Sequence, residues 1–336
     1  IEASGAANRG AALTAATPPP RPSPGILRAI RLCIFCGQAM TITPEQWRRM
    51  GRFFGFRGRR LFYVEGGDGP PLLLLHAYPT ASWGWHPLWA ELTDRFRVVA
   101  PDLLGSGFSD KPAGRHYSIF DLVDGLEALL AERGIDRMHV MAHAYGVTAG
   151  QELLARHVDH VQEAGAASAA PKPLSMTFLN GGLFPEATRP TPTQKLLLSP
   201  LGRAVVRLAP TPYRTFRRKL ARNFGPDAQP DEQQLEHIWR VLTHNDGHRV
   251  VPDVLQYLKQ RFTYRDRWVG ALRATDVPLQ LLNGAADPVS GTHVPEHWER
   301  LLPDARLVQL GAGIGHYPPL EAPGPVLGAF LDFASA

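Results

Sequence analysis

Short apolar runs, separated by polar stretches with helical spacing, set the rhythm of this chain. Pro71-Leu-Leu-Leu-Leu75, Phe96–Ala100 and Met138–Met141 are brief and continuous. Runs of that kind mark parallel strands buried on both faces. Arg60–Glu65 reads as an earlier strand, closed by Gly-Gly-Asp-Gly. Leu174–Leu179, Leu279–Leu282 and Arg306–Leu310 read as later ones. Between strands the spacing changes. Ser118 with Asp121 three residues on predicts a capping box. Leu122, Leu126, Leu129 and Leu130 then keep helical spacing up to a stop at Gly134. Val147–Arg156 reads as the next helix.

Strands alternating with helices predict an α/β fold, a mostly parallel central sheet with helices on both faces. Between Asn180 and Val277 the alternation stops, and the chain turns helical, proline-punctuated and basic. That stretch reads as an inserted helical cap. The expected layout is residues 40–182 as the first part of the core, 183–268 as the cap and 269–336 as the second part. Residues 1–39 are rich in Ala, Pro and Gly, include T-P-P-P-R-P-S-P and lack apolar periodicity. They are expected to be a disordered leader or translated upstream sequence, with Met40 as a natural start. Ile26–Phe35 is apolar with two arginines and is the one stretch resembling a poor signal or anchor. No internal repeat is evident.

Composition adds little to this picture. The chain has 336 residues, 44% hydrophobic and 20% charged, enough for one large domain with an insertion. No run is long and apolar enough to span a bilayer. The net charge is +5, partly in two basic runs, Arg48–Arg60 and Arg214–Arg222. No nucleic-acid motif accompanies them, so they read as solvated helix faces, with a membrane surface as the alternative partner. The two cysteines, Cys33 and Cys36, form a lone CxxC with nothing nearby to complete a zinc site. They are read as incidental, and no metal or cofactor is expected. The absence of a disulfide framework favours a cytoplasmic location.

In an open parallel sheet, ligands bind at the carboxyl ends of the strands. After Leu72–Leu75 comes His76-Ala77-Tyr78-Pro79-Thr80. After Phe96–Ala100 comes Asp102-Leu-Leu-Gly105-Ser-Gly107-Phe-Ser-Asp110-Lys-Pro. Asp287-Pro288 follows the strand at Leu279, and Gly315-His316-Tyr317-Pro318 follows the last one. After Met138–Met141 the chain reads A-H-A-Y-G. Small-x-nucleophile-x-Gly is the frame of a strand-to-helix nucleophile elbow. Its middle residue is Ala144, which carries no nucleophile.

Together these motifs resemble the α/β-hydrolase superfamily from about residue 50 to the C-terminus. Within it they are similar to the branch of epoxide hydrolases, haloalkane dehalogenases and mesoderm-specific-transcript proteins. The last group is nearest, through H-A-Y-P-T-A-S-W, L-G-S-G-F-S-D-K-P, L-N-G-G-L-F-P-E, N-D-G, Q-Y and R-W-V-G-A-L. The resemblance implies a two-step hydrolysis. An elbow aspartate attacks an electrophilic carbon, and a histidine oriented by a second carboxylate activates water against the ester. It maps the elbow to Ala144, the base to His316 and the orienting acid to Asp287. Backbone N–H groups of Tyr78 and Tyr145 would form the oxyanion site, with Tyr257 and His76 as further substrate contacts. Tyr264 is a second cap tyrosine. Asp102 is read as a brace of its turn and His143 as an elbow hydrogen-bonding residue. Tyr78 and Tyr145 offer no indole N–H, which counts against halide binding. Ala77 stands where glycine is usual, a strained choice if that position needs φ > 0.

Three accounts of Ala144 stay open. The chain is a hydrolase with its nucleophile replaced, acting on a small apolar electrophile and strongly impaired. Or it is a non-catalytic, ligand-binding pseudohydrolase. Or His316 and Asp287 activate water directly, with no covalent intermediate. Ser106 and Ser109 lie on another loop and cannot fill the gap. The sequence leaves the oligomeric state unspecified.

Overall fold

The computed structural model describes residues 42–114, 117–164, 171–209 and 211–335. Expectations for residues 1–39, including Cys33, Cys36 and Ile26–Phe35, lie outside these. The centre is an eight-stranded sheet in the order β1-β2-β4-β3-β5-β6-β7-β8. The strands are β1 (Arg52–Phe56), β2 (Arg59–Gly66), β3 (Pro71–Leu75), β4 (Arg97–Pro101), β5 (Arg137–His143), β6 (Lys172–Leu179), β7 (Leu279–Gly284) and β8 (Arg306–Gly311). β1 and β2 pair antiparallel, as do β2 and β4. Every other neighbouring pair is parallel.

The apolar runs fall in the sheet because both of its faces are covered. Successive side chains of β3 alternate between two cores. Leu73 and Leu75 pack with Leu122, Leu126, Leu153 and Trp268. Leu72 and Leu74 pack with Trp47, Trp85, Trp89 and Phe330. Burying one such leucine is worth about 2 kcal/mol, so a strand with four of them is anchored from both sides.

The helices are α1 (Pro44–Met50), α2 (Trp89–Thr93), α3 (Ile119–Glu132) and α4 (Tyr145–Ala164) before β6, and α12 (His293–Leu301), α13 (Pro318–Glu321) and α14 (Pro323–Ala334) after β7. Between β6 and β7 lie α5 (Pro192–Leu198), α6 (Pro200–Leu208), α7 (Tyr213–Ala221), α8 (Glu232–Thr243), α9 (Gly247–Val254), α10 (Tyr257–Thr263) and α11 (Arg265–Ala274). The stretch read as a helical insertion is helical. Among the described residues no helix is long and apolar enough to cross a membrane.

Three local expectations need correction. Arg48–Arg60 is not one helix face. Only its first residues lie on α1, and the rest form a β1–β2 hairpin turning at Arg57 and Gly58, both at positive φ. The second run, Arg214–Arg222, does lie on and just past a helix, α7. Ser118 is the N-cap of α3, but its side chain makes no capping hydrogen bond. The Ile119 N–H is instead accepted by Gln260 Oε1 at 3.0 Å, and Gln260 Nε2 donates to the Tyr117 carbonyl at 2.9 Å. One α10 side chain thus supplies the cap that the local sequence promised. Finally, the strained alanine of the first loop is Ala81, at φ 52°, and not Ala77.

The helical stretch between β6 and β7 is also pinned to α4 by a buried carboxylate. Glu152, on α4, accepts from Arg156 Nε at 3.0 Å, Arg267 Nε at 2.8 Å and Trp268 Nε1 at 2.8 Å. The R-W of R-W-V-G-A-L is the other half of this contact.

Candidate active site

The turn between β5 and α4 is built as an elbow. Ala144 has φ 48°, the left-handed region that costs an L-residue about 1–2 kcal/mol. The conformation is held from outside. The Ala144 N–H donates to the Leu179 carbonyl on β6 at 3.1 Å, and the Gly146 N–H to the His76 carbonyl at 2.9 Å. A Cβ at Gly146 would lie 2.4 Å from the Leu75 carbonyl oxygen, so the helix can approach β3 only through glycine. Tyr145 opens α4, where backbone N–H groups lack helical acceptors. The Gly146 N–H is taken by His76 and the Val147 N–H by the Ala144 carbonyl at 3.2 Å, so it is the Tyr145 N–H that an oxyanion beside this turn would meet.

The loops after β7 and β8 meet at the same end of the sheet. His316 Nδ1 and Asp287 Oδ2 are 2.8 Å apart, and both side chains are buried. Asp287 is held by more than the histidine. Its Oδ2 accepts from Asn180 Nδ2 at 3.0 Å and from the Ser290 hydroxyl, and its Oδ1 accepts from the Val289 N–H at 2.8 Å. Burial alone would raise the Asp287 pKa, but His316 and these donors outweigh it and hold it at about 2. Burial pulls the His316 pKa down, and the Asp287 charge and hydrogen bond reverse this, leaving it above its ordinary value. With an ionised acid on Nδ1, the tautomer of neutral His316 has Nε2 free to take a proton.

The elbow touches this pair through His143. Its Nε2 lies 2.7 Å from the His316 carbonyl oxygen, and the two rings are 5.8 Å apart. A carbonyl only accepts, so Nε2 of His143 carries the proton. Burial, with a smaller contribution from His316, pushes the His143 pKa down to about 3. The loops bearing residues 143–144, 287 and 316 therefore converge at one end of the sheet.

The remaining residues divide. Tyr145 packs against Tyr257 at 4.6 Å and Tyr78 at 6.3 Å between ring centroids. These three form one cluster beside the elbow, and burial raises the pKa of all three. Tyr264 lies elsewhere, more than a third exposed and against Phe120 at 4.8 Å. His76 is tied into the fold. Its Nε2 accepts from the Leu103 N–H at 2.9 Å and its Nδ1 meets the Ala77 carbonyl at 2.8 Å, so both ring nitrogens brace loops. Asp102 also braces, accepting from the Ser82 and Phe108 N–H groups, each at 2.7 Å. Ser109 is engaged by Phe62 N–H and the Asp102 carbonyl.

Sequence reasoning missed Asn180, Ser290 and Glu321. Asn180, at φ 28°, also accepts from the Gly284 N–H at 2.7 Å, locking the β6 and β7 loops together. Its signal was its place at a strand end in L-N-G-G. Glu321 accepts backbone N–H groups from Gly225 at 2.8 Å, Gly315 at 2.6 Å and Tyr317 at 2.7 Å, clamping His316 from both sides. Among the described residues, no three His, Cys, Asp or Glu side chains group as a metal site.

The family model described as the alpha/beta hydrolase fold matches residues 70–323. The human mesoderm-specific transcript homolog protein is 39% identical over 305 residues, spanning 87% of this chain and 88% of its own length. Two solved structures share the fold. Haloalkane dehalogenase DbeA from Bradyrhizobium elkani has a TM-score of 0.68 at 21% identity, covering 85% of this chain and 97% of that one. Epoxide hydrolase CorEH has a TM-score of 0.65 at 20% identity, covering 85% and 98%.

Proposed function

This chain belongs to the α/β-hydrolase fold family, and from that membership we propose an epoxide-hydrolase-like frame whose covalent nucleophile has been replaced by Ala144. The observation that carries this reading is the intact Asp287–His316 pair at 2.8 Å, tied through His143 to an elbow that still bears the strain of one. Its substrate is a small molecule with an electrophilic carbon, an epoxide or an ester-like compound.

With a carboxylate at residue 144, the chemistry follows from the positions. A carboxylate oxygen bonds to the electrophilic carbon and the epoxide C–O bond breaks. The alkoxide takes a proton from the Tyr257 hydroxyl, which burial keeps protonated. His316 then removes a proton from water, which adds to the ester carbonyl. The oxyanion collects the N–H groups of Tyr78 and Tyr145, collapse releases the diol and regenerates the carboxylate, and the proton held by His316 returns through water to the Tyr257 phenolate. Residues 183–268 act as the cap that shields this site. Without the nucleophile, turnover by this route falls by about four to six orders of magnitude. We place the protein in the cytoplasm, since residues 37–336 contain no cysteine for a disulfide framework.

The test is Ala144→Asp combined with His316→Gln, which blocks the second step. Incubation with an epoxide panel should leave a covalent adduct on residue 144, read by peptide mass spectrometry. Absence of an adduct with every epoxide and activated ester tried removes the covalent reading. The intact dyad also favours a second reading, direct activation of water. Slow turnover by the unaltered chain, abolished by His316→Ala, would support it. Ligand binding without turnover, indifferent to that change, would make the chain a binder.

A further inference from the structure

We infer that Arg261 reads a carboxylate on the substrate, so that the ligand of this site is an organic acid and not a wholly apolar compound. This rests on the reading of the site as one for a small electrophile, and it names the group that such a molecule carries besides its reacting carbon.

Arg261 is 4% exposed, yet its guanidinium is poorly matched by the protein. Nη2 donates to Thr188 Oγ1 at 2.7 Å, the one hydrogen bond of this side chain among the described residues. Nε is buried and has no partner among the described residues. The acid whose charge reaches it, Glu186, already accepts from Arg265 Nε at 3.2 Å on each oxygen and from Arg265 Nη2 at 2.6 Å. Burial pushes the Arg261 pKa down to about 10, which leaves it charged at neutral pH. A buried cation whose neighbouring acid is committed to another arginine is costly, and the cost is relieved if an anion enters with the ligand.

Its place in the fold ties it to the site. Arg261 is one helical turn beyond Tyr257 on α10, on the same face. Its guanidinium lies against the loop that follows β6. A Cβ at Gly182 would come within 1.6 Å of Nη2, so the second glycine of L-N-G-G is what admits the arginine. Two residues earlier, Asn180 holds Asp287.

The neighbouring cluster is short of acceptors too. The hydroxyls of Tyr78 and Tyr145 are buried without partners among the described residues, and Tyr257 joins these rings to α10. Burial keeps all three phenols protonated, and so able to donate. Unsatisfied buried donors are uncommon in native proteins and call for an acceptor. A carboxylate is planar, accepts along two oxygens and suits the guanidinium fork.

The test uses the unaltered full chain and two pairs of probes matched in shape, phenylacetate with phenylacetamide and octanoate with octanamide, titrated calorimetrically at pH 7. In at least one pair the acid should bind tenfold or more tighter than the amide. Arg261→Gln should abolish that preference and Arg261→Lys should retain part of it. In a spectrum of arginine Nε–H groups of the unaltered chain, the Arg261 signal should move with the acid and not with the amide. That measurement decides the matter even if Arg261→Gln fails to fold. Equal binding of acid and amide, no binding by either acid, an unmoved Arg261 signal, or a preference that survives Arg261→Gln overturns the proposal. None of these readings needs a nucleophile. Failure of Ala144→Asp to form adducts therefore leaves the carboxylate proposal standing, and an adduct formed without any acid preference defeats only this one.

Discussion

The ring of His143 donates to the backbone carbonyl of His316 across 2.7 Å, so the residue before the elbow alanine fixes the backbone of the expected base. Removing that ring leaves a buried carbonyl unpaired and opens a cavity. His143→Ala should lower stability by about 2–4 kcal/mol in urea denaturation. His143→Gln, which keeps a donor, should lose about half as much. In the Ala144→Asp background both should slow turnover, because His316 loses its register against Asp287. If His143→Ala is as stable as the parent, the bond does not hold the two loops together.

The same two histidines should titrate in opposite directions. His316 is raised above 6.5 by Asp287 and His143 is lowered to about 3 by burial. At pH 6, ring-nitrogen NMR should show His316 as imidazolium and His143 neutral with its proton on Nε2. The signs for stability follow by linkage. The contribution of His316 is complete below 6.5 and is lost as pH rises through its folded value. That of Asp287 is complete above 3.8 and is lost as pH falls toward about 2. Neutral His143 contributes fully above 6.5, and this declines as pH falls toward about 3. On the proposed chemistry, the Ala144→Asp variant should gain activity as His316 deprotonates above 6.5. A His143 resonance that titrates near its ordinary value would contradict the buried, carbonyl-bonded ring.

Strain at residue 144 gives a third expectation. At φ 48° glycine is unstrained, whereas alanine places its Cβ against the backbone. Ala144→Gly should stabilise the chain by about 1 kcal/mol, read as a rise in Tm. Ala144→Asp should cost little, because aspartate tolerates this region better than most residues. Destabilisation by Ala144→Gly would mean the elbow is not held in the left-handed conformation.

Much of this was legible in the sequence where structure depends on near neighbours. β3 shows itself because Leu72 and Leu74 face one core and Leu73 and Leu75 the other. Ala144, Asp287 and His316 show themselves because they follow strands. β1 was hidden because R-F-F-G-F, a glycine-interrupted edge strand among arginines, lacks either periodicity. Asn180 grips Asp287 across 107 residues and Glu321 grips Gly225 across 96, so neither partnership leaves a local mark. The cap of α3 was misread for the same reason, since its acceptor stands 141 residues away on Gln260. The ties of His76 to Leu103 and Ala77 left no mark either, because a histidine at a strand end looks alike whether it meets a ligand or ties two loops.

The most severe loss should come far from the elbow, at Glu152. Its carboxylate is fully buried and answers three donors, Arg156, Arg267 and Trp268, that join α4 to α11. Arg156 keeps Glu127 at 2.6 Å and Arg267 keeps Asp159 at 2.6 Å, but the buried Trp268 N–H has Glu152 alone as its partner among the described residues. Glu152→Ala should therefore cost about 3–5 kcal/mol, the range for breaking a buried ion pair by removing one partner. Glu152→Gln retains an acceptor for the indole and should cost less. Because α11 leads directly into β7, which ends before Asp287, the activity proposed for the Ala144→Asp variant should fall along with stability in Glu152→Ala. Paired urea melts and turnover measurements separate the cases. A Glu152→Ala chain that melts within about 1 kcal/mol of its parent would show that the carboxylate is not what fastens α11 to the core.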